Sequence, residues 1–119
     1  VGLGLCLLAA RAFGRVIVDG VYSAFKDEAG LRDECEQGRD MGFDGKTLIH
    51  PAQLAIANAV FAPQEAELDL ARRQIAAFEA AQAAGQGVAV VDGKIVENLH
   101  IVTARAMLAK ASAIAAMGV

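Results

Sequence analysis

The residues best suited to binding or chemistry lie in one stretch, residues 42–53, which reads GFDGKTLIHPAQ. Within it, residues 46–49 are predicted to form a buried strand, and Pro51 is well placed to start a helix. Ligands of parallel α/β folds bind at the carboxyl ends of strands, so His50 and Gln53 are candidate site residues. A histidine there can donate hydrogen bonds or exchange protons. The alternative is that His50 only caps the helix that follows.

A second candidate position is Asp19, which follows the β-branched run of residues 16–18. That run predicts a strand buried on both faces, with Asp19 at its carboxyl end. Asp19 could orient a substrate or the groups around a metal ion, or it could simply cap the loop. Lys46 would lie in the interior, where a cation needs an anion. An internal salt bridge is therefore favoured over a catalytic amine.

Alternating helices and strands must position these residues. Residues 3–13 fit a buried helix closed by Gly14. Residues 27–41 fit a charged helix with a stripe of Leu31 and Cys35, and residues 51–61 fit a third helix. This order with short connections predicts a parallel sheet, in a (β/α) barrel or an open doubly wound sheet. Two strands do not make an independent sheet, so further strands are expected upstream or from other chains.

The pattern changes after Pro63. Residues 64–84 are predicted to form one long amphipathic helix. Residues 88–96 carry Asp-Gly between β-branched runs, which indicates a β-hairpin with a type I′ turn. A last helix is expected over residues 98–117 with Asn98 as its N-cap. The predicted organisation is therefore two parts, residues 1–63 and 64–119.

Composition limits the function classes. The chain has 11 basic and 14 acidic residues and no basic run, so nucleic-acid binding has little electrostatic support. The apolar opening is too short for a membrane span, which takes about 20 residues, and it lacks the features of a signal peptide. Cys6 and Cys35 are expected to be unpaired thiols in a reducing cytoplasm. The chain is expected to begin in mid-fold, as part of a longer protein.

Four runs carry a resemblance to a known family: VDGVY from Val18, GFDGK continuing to IHPAQ, FAP from Phe61, and VDGKIV from Val91. In this order they resemble the carboxyl-terminal third of the citrate lyase β-subunit-like family, within the HpcH/HpaI aldolase superfamily, which includes malyl-CoA lyases. The resemblance implies a TIM (β/α)8 barrel, with residues 16–18 and 46–49 as its seventh and eighth strands. Residues 64–119 would be a lid over a neighbouring subunit's active site, in a trimer or hexamer.

The resemblance also implies a reaction. Family enzymes cleave or form a carbon–carbon bond beside a coenzyme A (CoA) thioester, and Mg²⁺ stabilises the enolate of acetyl-CoA. The Mg²⁺ ligands would all lie upstream of Val1, so this polypeptide alone is expected to lack metal-dependent catalysis. The residues that would meet the substrate or its CoA arm are Asp19, Val21, Tyr22, Ile49, His50, Pro51 and Gln53. Tyr22 either covers the pantetheine or packs against the barrel rim.

Glu97 is where the chain departs from the family pattern. Malyl-CoA and citramalyl-CoA lyases typically read DGKMVDxPH, and the second Asp is the lid residue thought to act as acid or base. Here the same register reads DGKIVENLH, so Glu97 keeps a carboxylate that is one methylene longer. Misplacement by about 1 Å can cost on the order of a hundredfold in rate, so Glu97 could favour another step such as thioester hydrolysis. The alternative is that Glu97 only caps the last helix.

Three functional hypotheses follow. The first is the carboxyl-terminal part of a Mg²⁺-dependent acyl-CoA carbon–carbon lyase of the malyl-CoA or citryl-CoA type. The second is a malyl-CoA thioesterase of the same fold, which the change at Glu97 motivates. The third, from a different class, is an inactive lid or oligomerisation module.

Overall fold

Helices dominate the mixed α/β structure, a computed structural model that describes residues 1–118. The chain divides into two compact units, Val1–Ala62 and Pro63–Val119. Each unit has a buried apolar cluster, one built around Leu31 and Cys35 and the other around Ile101. The first unit contains the parallel strands that the sequence predicts, and the second contains the hairpin.

Helix α1, Gly2–Ala12, forms as predicted, and Gly14 in the left-handed region (φ 63°) follows its end. The prediction that this helix is buried is wrong for the described chain. Leu7 is buried, but Leu5 and Leu8 are 62% and 70% exposed. No element within residues 1–118 covers that apolar face of the helix.

The two parallel strands are shorter than predicted and displaced along the chain. Strand β1 is Val18–Asp19 and strand β2 is Gly45–Lys46, with Val18 opposite Gly45. Val16 and Val18 are exposed rather than buried on both faces. The predicted strand over residues 46–49 ends early because the amide of Ile49 donates to a side chain instead of a neighbouring strand.

Helix α2, Glu28–Met41, agrees with the prediction in its burial and at its end. Leu31 and Cys35 are its buried stripe, and Gly42 (φ 108°) ends it in the left-handed conformation. The expected helix over residues 51–61 is in fact a 3-10 turn, Pro51–Gln53, followed by helix α3, Leu54–Phe61. Ala57 and Val60 of α3 pack against the α2 stripe, whereas Leu54 is exposed.

The second unit matches the predicted order of elements. Helix α4 is Glu65–Ala83, strands β3 and β4 are Ala89–Val91 and Lys94–Val96, and helix α5 is Asn98–Ala116. Asp92 and Gly93 have φ angles of 52° and 74°, as a type I′ turn requires. The N-cap of α5 is Glu97 rather than the predicted Asn98.

By length and composition alone, α5 is apolar enough to cross a membrane. Core helices of soluble proteins can have the same length and apolar composition. Ile101 and Ala104 of α5 are buried in the second unit, and Ile101 packs with the hairpin residues Ala89 and Val96. This helix therefore has a packing role inside its own unit.

The start of α2 yields a stability prediction. Asp27 caps the helix by accepting from the Gly30 amide at 3.0 Å, and a methyl group on Gly30 would collide with that carboxylate and with the Tyr22 hydroxyl. Gly→Ala ordinarily stabilises a helix by about 1 kcal/mol. Here we expect Gly30→Ala to lower the thermal unfolding midpoint by roughly 5 °C, because the capping contacts must give way. Circular dichroism melts of the purified protein measure the midpoint.

Two variants serve as controls for that prediction. Tyr22→Phe added to Gly30→Ala removes one of the colliding groups, so part of the lost midpoint should return. Ala29→Gly, at the neighbouring exposed position of α2, reports the cost of helix propensity alone. A Gly30→Ala protein as stable as the wild type would contradict the packing of this cap.

Candidate functional site

The turn before β2 brings the two parallel strands together. Phe43 is buried, and Asp44 accepts from the Ile17 amide at 2.9 Å through its side chain while its own amide donates to the Ile17 carbonyl. Arg11 binds both Asp44 carboxylate oxygens at 3.0 Å, and this hydrogen bonding raises the pKa of Arg11. The turn is thus tied to both β1 and α1 before β2 begins.

A buried ion cluster lies where β1 and β2 end. The Lys46 side chain has 0% exposure, and its Nζ lies 3.1 Å from Asp19 Oδ2 and 3.2 Å from Glu34 Oε2. Asp19 also accepts from the Gly20 amide at 2.8 Å. Glu34 Oε2 makes no well-aligned hydrogen bond among the described residues, so its contact with Lys46 is electrostatic. The predicted internal salt bridge of Lys46 is confirmed.

Gln53 joins the loops that follow the two strands. Its Oε1 accepts from the Ile49 amide at 3.0 Å, and its Nε2 donates to the Tyr22 carbonyl at 2.8 Å. Gln53 is fully buried, with 0% exposure. The side chain therefore acts as an internal tie between residues 20–27 and residues 47–53.

His50 caps the 3-10 turn, as the structural alternative proposed. Its Nδ1 accepts from the Ala52 amide at 3.1 Å, so the hydrogen-bond network assigns the ring proton to Nε2. The His50 ring stacks on Phe25 with centroids 4.4 Å apart and an interplanar angle of 12°. His50 thus holds the two loops together at the surface, and contact with CoA stays a prediction.

Tyr22 packs inward rather than standing free. It contacts the α2 and α3 core, and its hydroxyl donates to Asp27 Oδ2 at 2.7 Å. That hydrogen bond raises the pKa of Tyr22, while the Gly30 amide and then the Tyr22 hydroxyl lower the pKa of Asp27. The packing of Tyr22 is thus shown within the first unit, and contact with the pantetheine stays a prediction.

The predicted substrate-contacting residues fall on the two loops. Asp19 ends β1, and Val21 and Ile49 expose apolar surface, at 45% and 52%. Pro51 is exposed at the start of the 3-10 turn. Their contacts with substrate stay predictions.

Glu97 lies in the other unit, at the start of α5. Its amide donates to His100 Nδ1 at 2.8 Å, and the His100 amide donates back to the Glu97 carbonyl at 2.9 Å. The imidazole thus takes the part that Glu or Gln plays in a capping box. Glu97 is exposed. The alternative that Glu97 caps the last helix is confirmed, in place of the predicted N-cap Asn98, and a catalytic role for its carboxylate stays a prediction.

The donor set of this chain does not fit a Mg²⁺ site. Within residues 1–118, no three His, Cys, Asp or Glu side chains are grouped so that they could hold a metal ion. Asp19 and Glu34 lie near one another, but both already contact the Lys46 ammonium. We therefore derive no catalytic step through a metal from these residues.

Sequence reasoning missed Glu34 and Phe25. Glu34 lies three residues after Leu31 and one before Cys35, so helical periodicity places it beside the buried stripe, where an acid needs a cationic partner. Helical periodicity could therefore have identified Glu34 as an acid in need of a cationic partner. Phe25 gave no comparable signal, because its stacking on His50 joins loops 25 residues apart in the chain.

Comparison with known families bears out the sequence resemblance. The family model for HpcH/HpaI aldolase/citrate lyase matches residues 5–51. A (3S)-malyl-CoA thioesterase of Cereibacter sphaeroides is 83% identical over 97% of this chain, and the match covers 40% of that relative. Citrate lyase subunit beta of Escherichia coli is 42% identical over 88% of this chain, covering 35% of that relative. The chain therefore spans well under half the length of these relatives.

A solved structure supports the same relationship. The crystal structure of CitE from Mycobacterium tuberculosis, in complex with magnesium, acetoacetate and coenzyme A, aligns with a TM-score of 0.68 at 33% identity. The alignment covers 89% of this chain and 38% of that one. The mixed α/β fold is shared with this relative, while the barrel and lid assignments stay predictions.

The ion cluster yields a stability prediction. Lys46→Met leaves the carboxylates of Asp19 and Glu34 together without their cation, so we expect the free energy of unfolding to fall by about 3–5 kcal/mol. Urea unfolding of the purified protein measures this change. The exposed Lys94→Met is the matched control, with an expected change within about 0.5 kcal/mol.

A double variant separates the charge from the volume of the side chain. Asp19→Asn added to Lys46→Met removes one of the two stranded charges, so stability should partly recover. Equal losses for Lys46→Met and Lys94→Met would show that the cluster contributes nothing to folding.

Proposed function

This chain corresponds to the carboxyl-terminal part of proteins of the HpcH/HpaI aldolase/citrate lyase family, and we propose that its protein hydrolyses the thioester of malyl-CoA or a similar acyl-CoA. The observation that carries this proposal is the 83% identity to a (3S)-malyl-CoA thioesterase over 97% of the chain. Identity to a citrate lyase subunit is 42% over 88% of the chain. The sequence resemblance alone put the lyase first, and the difference in identity reverses that order.

The two candidate reactions break different bonds. In hydrolysis, water adds to the thioester carbonyl carbon, the carbon–sulfur bond breaks, and malate and free CoA leave. In the lyase reaction, a carbon–carbon bond of malyl-CoA breaks and yields glyoxylate, while acetyl-CoA keeps its thioester. Release of a free thiol therefore distinguishes hydrolysis from cleavage.

The loop surface of the first unit suits the CoA arm of such a substrate. Val21 and Ile49 offer exposed apolar surface to a pantetheine chain. Lys26, whose Nζ lies 6.0 Å from the Phe25 ring centroid, adds a positive charge to the loop of residues 20–27. The buried polar residues below supply rigidity to this surface.

Mg²⁺ and CoA are both present in the CitE structure. When bound, Mg²⁺ would polarise a substrate oxygen. Because the described residues here do not fit a magnesium site, we propose that the metal ligands belong to the part of the protein that the relatives have and this chain lacks.

Carbon–carbon cleavage is the second candidate, favoured by the relationship to citrate lyase and by the carboxylate kept at Glu97. In either reaction we propose that Glu97 acts as acid or base in the active site of a neighbouring subunit. An exposed carboxylate at the start of a helix is compatible with that role. The oligomer, a trimer or hexamer, is part of the same proposal.

The reaction itself is tested by incubating the purified full-length protein with malyl-CoA and Mg²⁺. We expect malate and one equivalent of free thiol, measured by chromatography and a thiol reagent. Glyoxylate with acetyl-CoA and no free thiol would instead support the lyase. Absence of both product pairs would contradict both enzyme proposals and leave the inactive module.

Glu97 is tested by two substitutions that keep its cap, because the bond to His100 Nδ1 uses the amide of residue 97, and Gln and Asp each retain a side-chain oxygen for the His100 amide. Glu97→Gln keeps the length and loses the charge, so we expect turnover to fall by roughly a hundredfold with an unchanged unfolding midpoint. Glu97→Asp restores the length typical of the lyases and should raise the yield of glyoxylate relative to free thiol. Wild-type turnover in Glu97→Gln would leave residue 97 with a capping role alone.

A further inference from the structure

Gln53 is a polar residue without exposed surface at the base of the two loops. Its amide bonds Ile49, four residues earlier, and Tyr22, 31 residues earlier. The side chain therefore ties together segments that follow two different strands. It does so from inside the unit, beneath the surface proposed to receive CoA.

The two partners require an amide side chain of this length. The Ile49 amide can only donate and the Tyr22 carbonyl can only accept, and a primary amide offers one acceptor and a donor. An ionised glutamate offers acceptors alone, and a methionine offers no donor. Asparagine has both groups on a chain that is one methylene shorter. Glutamine alone among these meets both partners at 2.8 and 3.0 Å.

The tie sets the position of exposed neighbours. Ile49 supplies the bonded amide, and Val21 directly precedes Tyr22, whose carbonyl is bonded, so the same side chain holds the backbone at Ile49 and at the residue next to Val21. Both residues direct substantial surface outward, at 45% and 52% exposure. The stack of Phe25 on His50 joins the same two loops at the surface. Gln53 joins these two loops in the interior, as the stack joins them at the surface.

We propose that Gln53 is a positioning residue, which sets the spacing of the two loops for the CoA arm without touching it. This inference rests on the proposed function, since it assumes that the loops receive an acyl-CoA. It departs from the expectation that Gln53 contacts CoA, because a residue with 0% exposure presents no surface to a ligand.

Gln53→Glu tests the proposal with the smallest change of shape. At about pH 8 the introduced carboxylate cannot donate to the Tyr22 carbonyl, so we expect the Kd for coenzyme A to rise about tenfold. Burial favours protonation of a carboxyl group, which restores its donor, so affinity should recover as the pH is lowered to about 6. Isothermal titration of the full-length protein with coenzyme A measures Kd, with the wild type as reference at each pH.

Two further variants separate positioning from general stability. Leu7→Ala removes a buried side chain of helix α1 that lies beside Gly42, in an element that supplies no residue of either loop, so it should lower the unfolding midpoint and leave the Kd within about twofold. Gln53→Met removes both hydrogen bonds and should weaken binding without recovery in acid. It also keeps the test informative if Gln53→Glu folds poorly.

The outcomes are distinct. Weaker binding by Gln53→Glu with recovery in acid, and unchanged binding by Leu7→Ala, supports the positioning role. Wild-type affinity in Gln53→Glu or Gln53→Met overturns it while leaving the proposed function intact. A wild-type protein that does not bind coenzyme A overturns the proposed function, and this inference with it.

Discussion

The first unit depends on one buried ammonium group. Lys46 is hidden from solvent and lies between the carboxylates of Asp19 and Glu34. A buried charge without its partners costs several kcal/mol, so the cluster is tolerated only when its groups are together. Because β1, β2 and α2 each supply one of the three groups, the electrostatic requirement of Lys46 fixes the relative position of three elements.

The residues before Lys46 explain how it reaches that position. Gly42 ends α2 in a conformation that suits glycine, and Phe43 anchors the turn in the interior. Asp44 adds a side-chain hydrogen bond to the Ile17 amide, which extends the strand pairing by one step. Gly45 then lies opposite Val18 in the ladder. The run GFDGK thus places the charged end of β2, and the residues proposed to meet a ligand follow it in the chain.

Local features of the fold were predictable from the sequence, whereas features that depend on distant side chains were not. The hairpin follows from the Asp-Gly turn, and α2 follows from periodicity between an acid and a glycine. The strand ends were misplaced because the Gln53 side chain accepts a hydrogen bond from the Ile49 amide. That bond joins a loop to a 3-10 turn, and hydrophobic periodicity does not predict it. The burial of α1 was misjudged because an apolar sequence does not show whether a packing partner is present, and Leu5 and Leu8 are exposed within residues 1–118. Within the candidate site, the salt bridge of Lys46 was predictable because a buried cation needs an anion. The sequence did not identify which acidic residues would pair with it.

The start of α5 separates the anchoring of residue 97 from its chemistry. His100 Nδ1 accepts from the amide of Glu97, a contact that does not depend on which side chain residue 97 carries, and a carboxylate at residue 97 completes the capping box with the His100 amide. Aspartate and glutamate can therefore exchange there without disturbing the helix, while the carboxylate moves by about 1.5 Å, the length of one carbon–carbon bond. A displacement of this size matters little for folding and much for a reacting group. A change of reaction within one fold is most easily reached at a position of this kind, where a neighbour holds the backbone amide and only the side-chain length changes at the carboxylate proposed to act on the substrate.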